Sequence, residues 1–180
     1  MILDRIFPRL CLHCQSPGHR LCPECLDLLE LLPPTGRCLK CFRESQEALC
    51  RPCRKRPSIF HRRAALFEPE GPALDLISRF WKGSDLPLID LLASFIALQL
   101  DRLKWEWPDV IAYDGGPFQK KNTVPALAKA CGEILQRPTV RLKEDDFPRK
   151  VVLVIEPRGE IAIFPKRLYA MHLFLSTQDR

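Results

Sequence analysis

The chain has 180 residues, 46% of them hydrophobic, and a formal net charge of +6. That is enough apolar material for a packed core, and no apolar run reaches the roughly 18 residues that would suggest a membrane-spanning helix. The opening stretch MILDRIFPRLCLHC mixes Asp4, Arg5 and Arg9 into its apolar residues, unlike a secretory leader, so a cytoplasmic protein is expected.

Charge and cysteine are both concentrated early. Residues 1–63 hold 12 Lys+Arg against 6 Asp+Glu, whereas residues 64–180 hold 16 of each, so the whole positive excess lies in the first third. A basic segment of this kind favours polyanions such as nucleic acid, or is simply a solvated face. Of the nine cysteines, eight lie between Cys11 and Cys53, and only Cys131 stands apart. In a reducing compartment such a cluster reads as a metal site rather than a disulfide framework.

The eight form four Cys-x2-Cys pairs: Cys11 with Cys14, Cys22 with Cys25, Cys38 with Cys41, and Cys50 with Cys53. Two cysteines three apart on a tight turn direct both thiolates at one ion, and tetrahedral zinc then needs a second pair. Two structural zinc ions are expected. Spacing makes sequential pairing simplest (the first two pairs on one ion, the last two on the other), but it also permits a cross-braced arrangement of first with third and second with fourth. Iron–sulfur ligation competes on the same residues. His13 and His19 read as loop histidines, because the sulfurs already close both sites. A short helix over CPECLDLLELL is expected to pack through Leu26, Leu28, Leu29, Leu31 and Leu32.

Beyond the basic joint RKRPSIFHRR the composition changes, so the expected domains are 1–57 and 58–180. AALFEPEG reads as a strand and turn. GPALDLISRFWKG reads as a helix with Leu74, Ile77, Phe80 and Trp81 at helical spacing and Gly83 as its stop. LPLIDLLASFIALQLDRLKW predicts a long helix, nearly apolar all round in its middle and so well buried. PDVIAYDGG predicts a strand. TVPALAKACGEILQ predicts an amphipathic helix with Leu127, Ala130, Cys131 and Ile134 facing inward and Pro125 in its first turn. KVVLVIE, IAIF and LYAMHLFLS are three strand-like runs, and no internal repeat is evident. The expected class is α/β, with a small sheet behind the cysteine module.

The stretch VVLVIEPRGEIAIF, Val151 to Phe164, raises a functional question. A buried parallel strand reads as such a run, and ligands sit beyond its carboxyl end, so Glu156 and Gly159 could mark a site. They could equally belong to a plain turn between two strands.

In order along the chain, the paired cysteine knuckles, ALFEPEGPALDLISRFWKG, DVIAY, NTVPALAKA and KVVLVIE resemble the ComF family of competence-associated proteins. That resemblance implies an N-terminal zinc ribbon, here doubled, joined to a type I phosphoribosyltransferase-like α/β domain, and a role in the uptake and handling of transforming DNA. Phe67, Pro69, Gly71 and Pro72 hold the positions of the family's Phe-x-Tyr-x-Gly-Pro segment, without its tyrosine. Leu76, Ile77 and Phe80 to Gly83 match its helix and Lys-aromatic-x-Gly turn, and Asn122, Thr123, Leu127 and Ala128 its Gly-Phe-Asn-Gln and Leu-Ala positions.

The departures matter as much. Active members end the strand matching Val151–Ile155 in two adjacent aspartates and a threonine- and glycine-rich loop that cradles the 5-phosphate of phosphoribosyl pyrophosphate. Here the pair reads Ile155-Glu156, no threonine follows, and Gly159 is the sole glycine of the loop. Lys120 and Lys121 stand as a remnant of the pyrophosphate loop, while Glu144, Asp145 and Asp146 precede the strand, at the wrong end. The resemblance therefore implies a truncated, degenerate transferase domain that acts by binding rather than catalysis, with single-stranded DNA or DNA-processing proteins as partners. The candidate nucleic-acid contacts are Arg51, Arg54, Lys55, Arg56, Arg62 and Arg63. An active phosphoribosyltransferase that uses Glu156, and a zinc-ribbon protein adaptor, are the alternatives.

Overall fold

The computed structural model describes residues 9–55, 62–82, 87–113 and 123–142, together with the backbone of 152–156 and 168–174. Two short helices, α1 (Pro23–Asp27) and α2 (Arg51–Lys55), lie in the cysteine-rich third. There follow β1 (Arg62–Phe67), α3 (Gly71–Lys82), α4 (Pro87–Leu103), β2 (Val110–Tyr113), α5 (Thr123–Leu135), β3 (Thr139–Arg141), β4 (Val152–Glu156) and β5 (Leu168–Phe174). The mixed α/β class is as the sequence predicts. The IAIF run, Gly83, Gly159, Arg56, Lys120, Lys121 and the acids 144–146 lie outside the described residues.

The five strands form one sheet in the order β1-β5-β4-β2-β3, and every neighbouring pair is parallel. Chain order runs from β2 outward to β3, then returns past β2 to β4 and on to β5. The strand order thus reverses between β2 and β4, where Tyr113 is in register with Ile155. Because β5 runs parallel to β4, these two strands do not form a hairpin. The turn reading of the Glu156 stretch places its second strand at IAIF, which lies outside the described residues.

Helix α4 packs against α5 and β1, and α5 against β2, β3 and β4. Leu88, Leu92, Ala93, Ile96 and Leu100 of α4 are buried, as its apolar sequence predicts. The inward face of α5 holds Val124, Leu127, Ala128, Ala130 and Cys131, but Ile134 is 46% exposed and does not join it. In the last turn Leu135, four residues after Cys131, takes the inward position and packs against the core instead. Cys131 is a core residue, and burial pushes its thiol up to about 12. Gly132 marks a close approach: a Cβ there would run into Thr139 Oγ1 and stand 2.8 Å from the Arg137 carbonyl. In α3 the buried stripe is Ala73, Leu76, Ile77 and Phe80, while Leu74 is 46% exposed.

The cysteine-rich third is continuous with this core. Leu29, Leu32 and Phe42 belong to the same buried cluster as Leu66, Phe80 and Ile96. Leu26 and Leu28, expected to pack with them, are exposed; Cys25 is the buried residue of α1. The Leu32 N–H donates to the Leu66 carbonyl of β1 at 2.8 Å, so this segment lies against the strand that ends the sheet. Gln99 of α4, fully buried, secures the junction: its Nε2 donates to the carbonyls of Leu32 at 2.9 Å and Ala65 at 3.0 Å. Arg102 donates to the Leu31 carbonyl, and Arg37 pairs with Glu68 at 3.1 Å.

Candidate metal centres

Each cysteine pair sits on a knuckle whose geometry follows from local backbone bonding. In the first, Gln15 N–H donates to the Cys11 carbonyl and Cys11 N–H to the Ser16 carbonyl. The turn closes with Gln15 at φ +61°, in the left-handed region. The chain returns so that Leu12 N–H meets the Arg20 carbonyl, and Cys22 then opens α1, which carries Cys25.

The second knuckle repeats this bond for bond. Phe42 N–H donates to the Cys38 carbonyl, Cys38 N–H to the Arg43 carbonyl and Leu39 N–H to the Ala48 carbonyl. Phe42 has φ +64°, and Cys50 leads into α2, which carries Cys53. Isolated bridges join Leu10 to Pro17 and Arg37 to Glu44 at matching positions. The cysteine-rich third is therefore an internal duplication. The signal was present as Cys-Leu-His-Cys with Leu-Cys-x2-Cys, against Cys-Leu-Lys-Cys with Leu-Cys-x2-Cys, the second copy having one residue more between its pairs.

The sulfurs of Cys11, Cys14, Cys22 and Cys25 lie within 4.8 Å of one another, and so do those of Cys38, Cys41, Cys50 and Cys53. The pairing is sequential, not cross-braced. Cys14 Sγ and Cys22 Sγ are 3.5 Å apart, and Cys41 Sγ and Cys50 Sγ 3.6 Å. A disulfide would need about 2.05 Å, and all nine cysteines are free. Four sulfurs each about 2.3 Å from a central ion would stand roughly 3.8 Å apart, so the donor set fits a metal ion in each group. Neither His13 nor His19 joins a group; His13 instead lies against Asp75 of α3, Nδ1 to Oδ2 at 2.8 Å.

The first cysteine of each group is prepared as a thiolate. Burial opposes the charge on Cys11, but the N–H groups of Cys22, His13 and Cys14 outweigh it and hold the thiol at about 6. Cys38 is likewise held at about 6, burial being overcome by the N–H groups of Cys50, Cys41 and Lys40. The Cys50 N–H to Cys38 Sγ distance is 3.3 Å, and Cys22 N–H to Cys11 Sγ 3.5 Å. Burial, with the neighbouring thiols, pushes Cys25 up to about 12. Cys41 rises to about 11, mainly through burial.

The candidate nucleic-acid residues are divided by the fold. Arg51, Arg54 and Lys55 are exposed on α2, with Arg54 paired to Glu47 at 2.6 Å. Arg62 and Arg63 are half-buried on β1. Glu156 closes β4 at its carboxyl end. A cleft of about 530 Å3 lies beside the second knuckle, but its buried cation, Arg37, is already engaged by Glu68 and stacked over Phe42. No helix of the described residues is long and apolar enough to cross a membrane. Comparison with protein-family models, curated proteins and solved structures finds no match to this chain.

Proposed function

We propose that this chain is a ComF-like protein that holds two structural zinc ions and acts in DNA uptake and processing by binding single-stranded DNA rather than by catalysis. A closed four-sulfur group leaves no open coordination position, so the ions organise the chain and do no chemistry. The regular paired knuckles favour zinc over an iron–sulfur cluster. The observation that carries the DNA reading is the difference between the two copies. Where α1 has Pro23, Leu26 and Asp27, α2 has Arg51, Arg54 and Lys55, all exposed. One copy of an otherwise matching unit has acquired a cationic helix, which suits a phosphate backbone.

Fluorescence anisotropy with a labelled single-stranded oligonucleotide across a salt series tests this. Binding should weaken linearly on a logarithmic salt scale, and Arg51→Ala with Lys55→Ala should reduce that slope by about 1.4, at roughly 0.7 per lost phosphate contact. Sequence preference should be unaffected, since the contacts are to phosphate. Unchanged affinity and slope in the double variant would remove this reading.

The enzymatic alternative has one observation in its favour. Ligands of open parallel sheets bind where strand order reverses, and β4 ends in Glu156 beside β2 at such a point. Against it stands chain length. Segment 157–167 must return the chain to start β5 in parallel, a crossover that ordinarily takes a dozen or more residues, and Pro157 offers no N–H. A phosphate cradle needs successive amides in addition to that crossover. Calorimetric titration with phosphoribosyl pyrophosphate and magnesium should show no saturable binding, and Glu156→Gln should leave folding and DNA affinity unchanged. Magnesium-dependent binding that disappears in Glu156→Gln would restore the enzyme.

A further inference from the structure

The two knuckles are copies of one unit, so each shows what the other lacks. Their register is fixed by paired backbone bonds, Leu12 N–H to Arg20 O at 2.8 Å and Leu39 N–H to Ala48 O at 2.9 Å. Leu12 thus corresponds to Leu39, His13 to Lys40, and Leu21 to Leu49. In the first knuckle, Leu12 and Leu21 pack against the main core, and His13 meets Asp75 on α3. In the second knuckle, the same two leucines face solvent, Leu39 49% and Leu49 37% exposed. Among the described residues, Lys40 has no carboxylate partner.

The cause is a difference in seating. The second knuckle meets the α/β core through Phe42, 4% exposed, and Arg37, 9% exposed and paired with Glu68. The equivalent positions in the first knuckle, Gln15 and Leu10, are exposed. Each copy therefore docks through a different face, and the second leaves open the face that the first uses. A single exposed leucine is ordinary. A pair at positions that are half-buried against the core in the sister copy, joined through the Leu39–Ala48 bond and flanked by Lys40, is a surface whose counterpart already has a partner.

We infer that Leu39, Leu49 and Lys40 form a docking surface for an amphipathic helix of a partner protein, one with a carboxylate beside its apolar stripe. The sister knuckle supplies that chemistry: its Leu12 and Leu21 pack against the main core, to which Leu76 and Ile77 of α3 belong, and its His13 meets Asp75 of the same helix. Lys40 selects an acidic partner as His13 does, with a permanent charge. DNA fits the patch poorly, because the triad presents no aromatic face for base stacking. The inference stands independently of the DNA reading, which rests on α2.

The test uses the metal-loaded full chain and a labelled synthetic helix carrying a leucine stripe flanked by aspartates, with a lysine-flanked version as control. The acidic helix should bind saturably. Leu39→Ser with Leu49→Ser should weaken binding at least about tenfold, given the apolar area each leucine would bury. Lys40→Glu should invert the preference between the two helices. Both leucines are on the surface, so metal content and thermal unfolding of the double variant should match the parent, which separates lost docking from lost folding. Failure of the acidic helix to bind, or binding that ignores the leucine pair, overturns the inference. So does a dimer abolished by the leucine substitutions, which would make a second copy the occupant. Loss of oligonucleotide affinity in the same variant, with helix binding intact, would give the surface to DNA and overturn it too.

Discussion

Cys38→Ser should cost the chain one bound metal ion and leave it unable to unfold cooperatively near the parent's midpoint, read by elemental analysis and calorimetry. Cys38 is fully buried and is the thiol that the knuckle's own amides hold at about 6, so it is the anchor of its group. A hydroxyl there offers zinc a poor ligand and accepts the same N–H groups without a charge. Binding of a structural zinc ion is itself folding free energy of about 10 kcal/mol or more, as large as the whole stability of an ordinary domain. The damage should spread beyond the knuckle, because Phe42 is part of the main core and Arg37 is tied to Glu68. Chelation of the parent should have the same effect. Reloading should release protons at pH 7, since Cys25 and Cys41, raised to about 12 and about 11, carry protons that the metal must displace. A Cys38→Ser protein that keeps two ions and the parent's transition would show that the second sulfur group is not a metal centre anchored by Cys38.

What the sequence made legible follows the range of the interactions involved. The Cys-x2-Cys pairs are local, so the eight sulfurs could be picked out by spacing, whereas their sequential grouping depends on how the knuckles fold back and had to come from the structure. The helical spans over Gly71–Lys82, Pro87–Leu103 and Thr123–Leu135 follow from periodicity over several turns. Ile134 obeyed that periodicity and still faces solvent, because i+3 and i+4 are both permitted by the pattern and Leu135 is the residue that packs against the core. The duplication was hidden by one extra residue and by different residues at most non-cysteine positions. The Glu156 stretch was ambiguous because a single strand carries no mark of its partner's direction, and the structure shows a parallel partner for it in β5. Gln99 gave least warning of all. A glutamine near the end of an apolar helix reads as the point where it meets solvent, yet its partners are Leu32 and Ala65, far away in sequence.

That glutamine is where the second large effect should appear: Gln99→Glu should lower the thermal midpoint by roughly 10–30 °C at neutral pH, at 2–4 °C per kcal/mol for a chain of this size. The substitution keeps shape and volume and changes only the donor. The Nε2 of Gln99 supplies two hydrogen bonds to carbonyls, in a position with no solvent exposure. An ionised glutamate would set a carboxylate oxygen against both of them. The cheaper course is to stay protonated, which for a carboxyl of ordinary pKa near 4.3 costs about 4 kcal/mol at pH 7. Even then one O–H must serve two carbonyls, and the orphaned one adds about 1–3 kcal/mol. The sign with pH is therefore fixed. The folded-state pKa of the new carboxyl is raised above its unfolded value, so the ionisation part of the penalty is absent below the unfolded value near 4.3 and grows as pH rises above it, while the cost of the orphaned carbonyl remains at every pH. Gln99→Leu is the control: it loses both bonds without adding an ionisable group, so its cost should not vary with pH. Because the bonds join the Leu31–Leu32 segment to β1 and α4, hydrogen exchange in Gln99→Glu should rise first at Leu32, whose N–H is held by Leu66. A Gln99→Glu protein as stable as its parent at pH 7 would mean that the amide does not hold this junction.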